Sequence, residues 1–209
     1  MVTPEELLAL LRDERLMPII RSDSAEAAAS IGHALIAGGY TMLEVSLTTP
    51  GALNVITELS RTSAEVGAGT VLTSADAEAA RDAGASFIVT PAVAESIPAA
   101  VRMELPVLAG ALTPTEIVAA VAAGATAVKL FPAELGGVDY FTALRAPFPD
   151  VPLIPVGGVT LTSGRAYLDR GALALGLGSP LTGKASDPVD VAAIGARAEA
   201  FRRMVRGEE

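Results

Sequence analysis

The segment Thr126-Ala127-Val128-Lys129-Leu130-Phe131-Pro132-Ala133-Glu134 puts one basic side chain inside an apolar run. Such a run reads as a short buried strand, and a lysine is expensive there. An ammonium taken out of water without a partner costs on the order of several kcal/mol, or it gives up its proton. The neutral amine is a nucleophile that condenses with a ketone. The competing reading keeps only the lysine stem buried and lets its head reach solvent or a carboxylate. Leu43-Glu44-Val45 repeats the pattern with the opposite charge. Glu44 and Lys129 together fit an amine nucleophile beside a carboxylate that moves protons. They also fit an internal ion pair, which contributes little to stability and sometimes lowers it.

Other residues that core-building does not explain recur at strand ends. Arg21 closes a first apolar strand, Thr70 follows Gly69, and Pro91 follows Thr90. Two glycine-containing turns lie late in the chain, Gly157-Gly158 just before Thr160 and Gly178-Ser179 near the C-terminus. Backbone N–H groups in such turns, next to a helix N-terminus, hold phosphate groups, although either turn could simply be tight. A metal is not expected. His33 is the single histidine and falls on a helix, cysteine is absent, and no carboxylates have ligand spacing.

The elements that must carry these residues alternate strictly. The spacing predicts a helix over 3–13 with Thr3 as its cap, a strand over 16–20 ending at Arg21, and a helix capped by Ser24. Strands follow over 40–47, 65–68, 86–89, 106–109, the lysine segment, 153–156 and 173–175. Helices are expected over 50–59, from a Ser74 cap to Gly84, and over 96–102. Further helices are expected from Thr113-Pro114 to Gly124, over 140–145, over 160–170 and over 189–205. The strands are short and continuously apolar, so both of their faces should be buried. Gly39, Gly84, Gly124 and Gly171 each stand where a helix ends before a strand, the place of a left-handed cap. Eight strand–helix units make a closed (β/α)8 TIM barrel, here with an extra N-terminal helix, as a single domain over 1–209. An open doubly wound sheet ranks below it, because no glycine-rich dinucleotide turn follows the first strand. In a barrel, the residues singled out above fall at the C-terminal ends of the strands, where chemistry sits.

Composition narrows the partners. With 51% apolar and only 4% aromatic residues, Ala, Val, Leu and Ile must fill the core. A net charge of -9 without a basic run argues against nucleic acid. Without cysteine there is no disulfide or thiolate chemistry. The N-terminus lacks a basic segment followed by an apolar one, and no apolar run reaches about 18 residues. A cytoplasmic protein with no membrane span is therefore expected.

Taken in order, six segments resemble the 2-keto-3-deoxy-6-phosphogluconate / 4-hydroxy-2-oxoglutarate aldolase family. They are Leu43-Glu44-Val45-Ser46-Leu47, Gly67-Ala68-Gly69-Thr70-Val71-Leu72, Val89-Thr90-Pro91, the lysine strand through Glu134, Val156-Gly157-Gly158-Val159 and Gly176-Leu177-Gly178-Ser179. The resemblance covers nearly the whole chain. It implies that Lys129 forms a Schiff base and that Glu44 shuttles protons. It also implies that Thr70, Pro91 and Phe131 line the pyruvate pocket, and that Gly157, Gly158, Gly178 and Ser179 bind phosphate. The substrate it implies is a phosphorylated 2-keto-3-deoxy sugar acid, cleaved to pyruvate and glyceraldehyde 3-phosphate by a homotrimer that uses no cofactor. In one respect the chain departs from the gluconate-type pattern. Thr48 stands where those members carry the arginine that holds the substrate carboxylate. Galactonate-type members lack that arginine too and have one at the end of the first strand, as Arg21 is here. Two other readings stand beside the aldolase: a phosphosugar isomerase or synthase on the same barrel, and a phosphosugar-binding protein without turnover.

Overall fold

Strands β1 (Leu16–Ile20), β2 (Met42–Ser46), β3 (Glu65–Gly69), β4 (Phe87–Val89), β5 (Val107–Ala111), β6 (Ala127–Leu130), β7 (Leu153–Pro155) and β8 (Leu175–Leu177) all run parallel in one sheet. The computed structural model describes residues 2–183 and 189–208. Neighbours follow chain order from β1 to β7, and β8 pairs with β1. The ring closes between β7 and β8 through a parallel bridge of Val156 with Gly176 and a 2.9 Å bond from Leu173 N–H to Leu153 O. This is the (β/α)8 barrel that the alternation of elements predicts.

The two faces of each strand build two separate cores. Leu16, Ile20, Leu43, Val45, Ile88, Val107, Val128 and Leu130 pack outward with the helices. Met17, Ile19, Met42, Phe87, Val89, Leu108, Ala127 and Ile154 alternate with them and fill the barrel interior. Helix α1 (Pro4–Glu14) joins this inner cluster through Leu7 and Leu11. Alternation alone thus sends Glu44 and Lys129 to the same side as Met42 and Ala127, the inside.

The outer ring is α2 (Ala25–Ala37), α3 (Ala52–Leu59), α4 (Ser74–Asp82), α5 (Ser96–Arg102), α6 (Pro114–Ala122), α7 (Gly137–Arg145) and α8 (Leu161–Asp169). The short α9 (Ser179–Thr182) and the terminal α10 (Val191–Arg206) follow. The glycines at the four expected caps carry φ of 85° at Gly39, 96° at Gly84, 97° at Gly124 and 88° at Gly171, a region where other residues are strained.

Three expectations shift. The last strand lies at Leu175–Leu177 rather than 173–175, because Gly176 pairs with both Met17 and Val156 and belongs to the sheet, not to a turn. Thr73, not Ser74, caps α4: its hydroxyl accepts from Asp76 N–H while the Asp76 carboxylate accepts from Thr73 N–H. Helix α7 begins at Gly137 rather than near Tyr140, behind a single 3-10 turn over Ala133–Leu135.

The same reciprocal cap opens α6. The Glu116 carboxylate accepts from Thr113 N–H at 2.7 Å and Leu112 N–H at 2.9 Å. These bonds favour the ionised form and hold Glu116 below its ordinary value of 4.5. A depressed carboxyl stabilises the fold above its unfolded value and loses that contribution as pH falls through its folded value. Glu116→Gln is therefore expected to lower unfolding free energy by about half a kcal/mol at neutral pH, a small figure because the site is exposed. Urea denaturation in acid, with the carboxyl protonated in both states, should show the gap closed.

Candidate active site

Lys129 and Glu44 meet inside the mouth of the barrel. Lys129 Nζ lies 3.7 Å from Glu44 Oε1, with Lys129 6% and Glu44 0% exposed. That separation is too long for a strong charge-assisted hydrogen bond. Both Glu44 carboxylate oxygens are buried without a hydrogen-bond partner among the described residues. A core assembled only for stability satisfies its buried acceptors, so this pair of free oxygens needs another account, and a ligand or a bridging water supplies one. Sequence makes room for the carboxylate: a side chain on Gly69, the neighbour of Ser46 in the β2–β3 ladder, would collide with it.

Above the pair opens a cavity of about 310 Å³, and every strand end but those of β2 and β5 reaches it. Its wall includes Arg21 after β1, Thr70 after β3, Pro91 after β4, Lys129 and Phe131 on and after β6, Gly157 and Gly158 after β7, and Gly178 and Ser179 after β8. All the residues singled out from sequence therefore line it except Glu44, which lies behind the lysine. Phe131 covers the amine from one side, its ring centroid 5.5 Å from Nζ. Arg21 is exposed, and it forms no ion pair among the described residues. Among the described residues of the cavity wall, Arg21 and Lys129 carry the basic side chains. Gly157 and Gly158 carry φ of 96° and 68°, and a side chain on Gly158 would run into the Glu134 carboxylate. Thr160 then caps α8 through Ser163 N–H, so the glycine pair leads directly into a helix N-terminus. His33 is remote from this site, exposed on α2 and 2.7 Å from Glu58 Oε1.

Thr70 reaches the cavity by breaking a rule. Inward positions on β3 are Gly67 and Gly69, so regular alternation would send Thr70 outward. Its φ of 61° turns it back toward the mouth. A β-branched residue in that region carries strain of about 1–3 kcal/mol. One contact that holds it there is hydroxyl to hydroxyl, Thr70 Oγ1 to Ser46 Oγ at 2.9 Å.

Several supporting residues escaped the sequence reading. Thr90 accepts from Gly110 N–H at 3.1 Å and donates to Ala92 O at 2.6 Å, which pins the turn that carries Pro91. Gly110 lacks a side chain where one would strike the Pro91 carbonyl. Ser22 N–H donates to Thr49 Oγ1 at 3.1 Å, tying the residue after Arg21 to the loop after β2. Ser46 was in reach of sequence reasoning, because it is two positions beyond Glu44 and so on the same side of the strand. Among the described residues, no three His, Asp or Glu side chains gather as a metal site would require, and no helix is long and apolar enough to cross a membrane.

Comparison with known proteins gives a consistent result. Residues 7–196 match the family model described as KDPG and KHG aldolase. The 2-dehydro-3-deoxy-phosphogluconate aldolase of Pseudomonas aeruginosa is 41% identical over 163 residues, covering 76% of this chain and 74% of that protein. A Rhizobium meliloti protein described as a probable 2-dehydro-3-deoxy-6-phosphogalactonate aldolase is 36% identical over 174 residues, covering 79% of this chain and 81% of its own. Among solved structures, the KDPG aldolase of Legionella pneumophila, with pyruvate captured as a covalent carbinolamine, superposes with a TM-score of 0.80 at 27% identity, over 99% of this chain and 98% of that one.

Proposed function

The chain belongs to the KDPG and KHG aldolase family and is a carbon–carbon lyase, and from that membership we propose that Lys129 and Glu44 carry its chemistry. The substrate is a 2-keto-3-deoxy-6-phospho sugar acid, and the products are pyruvate and glyceraldehyde 3-phosphate. The observation that carries this reading is the shielded amine: Lys129 opens onto the cavity and has a buried carboxylate 3.7 Å away with both oxygens free of hydrogen bonds.

Neutral Lys129 attacks the C2 ketone, and the carbinolamine loses water to give an iminium. Glu44 assists these proton transfers and takes the C4 hydroxyl proton, directly or through a water. The C3–C4 bond then breaks. Its electron pair flows into the iminium to form an enamine, and C4 leaves as the aldehyde carbon of glyceraldehyde 3-phosphate. Protonation of the enamine at C3 and addition of water free pyruvate and return the amine. The iminium is the electron sink, so no metal is required.

The rest of the cavity binds and positions. Gly157, Gly158, Gly178 and Ser179 hold the phosphate, with the N-terminus of α8 behind the first pair. Held at this remote end, the substrate is aligned for cleavage at C3–C4. Thr70 and Pro91 border the pyruvate portion, Phe131 keeps water from the amine, and Arg21 supplies a cation for an anionic end of the substrate. The same reading makes the protein a cytoplasmic homotrimer. Self-association is supported by the exposed apolar side chains Val101 on α5 and Val118 and Val121 on α6.

A coupled assay for pyruvate release tests the reading against its rivals. The expected result is turnover of the gluconate-type or the galactonate-type phosphorylated acid, unchanged by a chelator. Ligand-dependent thermal stabilisation without pyruvate release from either epimer would favour a phosphosugar-binding protein instead.

A further inference from the structure

Ser46 is completely buried and absent from the cavity wall, yet it stands between two other hydroxyls. Its Oγ lies 2.8 Å from Thr48 Oγ1 and 2.9 Å from Thr70 Oγ1. Thr48 is exposed at one end of this chain, and Thr70 faces the cavity at the other. Each hydroxyl has a single proton to donate. If Thr70 donates to Ser46, only lone pairs remain for a ligand, and a carboxylate is repelled. If Ser46 donates to Thr70, the Thr70 proton is free to point into the cavity. Ser46 can keep that second order because Thr48 can donate to Ser46 in turn, with its remaining needs met by solvent.

We propose that Ser46 is a positioning residue that orients the Thr70 hydroxyl as a donor toward the carboxylate of a 2-oxo acid. The donor order is Thr48 to Ser46, Ser46 to Thr70, and Thr70 to the ligand. In such a chain each bond polarises the next, so the last donor is stronger than an isolated hydroxyl. The same contact braces Thr70 in the left-handed conformation that turns its side chain into the mouth. The consequence is selectivity: the site favours ketones that carry a carboxylate over ketones that do not. The inference rests on the aldolase reading, in which Thr70 borders the pyruvate portion.

Borohydride trapping at varied ligand concentration tests it, with pyruvate and acetone as probes on the full chain. Ser46→Ala is expected to raise the half-saturating pyruvate concentration roughly tenfold and to leave that for acetone unchanged, with the maximal trapping rate within about threefold of wild type. Thr70→Val should show a similar loss, and Ser46→Ala should add nothing in that background, because Ser46 acts through Thr70. Thr48→Val alters only an exposed hydroxyl and should raise the pyruvate value about threefold. Additive effects of the Ser46 and Thr70 changes, or equal losses for pyruvate and acetone, would overturn the proposal. So would an unchanged pyruvate value in Thr48→Val, which decides the matter should Ser46→Ala fail to fold. Wild-type protein that traps pyruvate normally while these variants match it defeats this inference alone. Wild-type protein that traps no pyruvate defeats the aldolase reading and this inference together.

Discussion

Lys129→Met protein is expected to form no borohydride-stable adduct with pyruvate and to lose cleavage activity by a factor of about 10⁴ or more, about 5 kcal/mol of transition-state stabilisation. The size follows from the role. Without the amine there is no iminium, and the electron pair of the C3–C4 bond has nowhere to go. Peptide mapping makes the assignment direct, because Lys129 and Lys184 are the only lysines in the chain. A pyruvate adduct that persists on Lys129→Met protein would refute the site. Methionine keeps much of the volume, but the change strands Glu44, fully buried, beside no cation. Leaving a buried charge uncompensated costs about 3–5 kcal/mol. The double change Lys129→Met with Glu44→Gln removes both charges and is expected to unfold at higher denaturant than Lys129→Met alone. This pairing separates loss of chemistry from loss of fold.

Glu44→Gln alone gives the second large effect, a fall in kcat of about 10²–10⁴-fold. Glutamine has nearly the same shape and fits the space that Gly69 leaves open, but it cannot accept the C4 hydroxyl proton. The Lys129 amine remains, so pyruvate should still be trapped, only more slowly. An adduct without turnover would mark Glu44 as the proton carrier. The internal ion pair predicts the reverse: stability changes while kcat stays near wild type. The free carboxylate oxygens already lean against a purely structural pair, since a stabilising one would have its acceptors filled.

How far the sequence could carry this depends on the reach of each signal. Helix caps, left-handed glycines and apolar runs are local, and their physics acts over a few residues. They foretold the strand–helix alternation, and even the caps at Thr3 and Ser24. They erred where a local sign had a non-local cause. Gly176 looked like a turn, but it is a sheet residue, paired with Met17 and Val156 across the closure of the barrel. Thr70 was legible as a strand-end residue, but the turn of its side chain back to the mouth is visible only in φ.

The sequence by itself determined that a charged residue interrupts each of two apolar strands, that no cysteine or metal-ligand spacing competes with them, and that strands and helices alternate. Those statements need only neighbours along the chain. Tertiary structure alone decided that Lys129 and Glu44 come within 3.7 Å across four intervening strand-to-strand pairings, with the carboxylate lodged over Gly69. It also decided that Ser46 is wired to Thr48 and Thr70, and that Glu44 stands behind the cavity wall instead of in it. The physical reason is closure. Alternation tells which face of a strand a side chain takes, but the register and curvature of the closed barrel set which inward side chains meet.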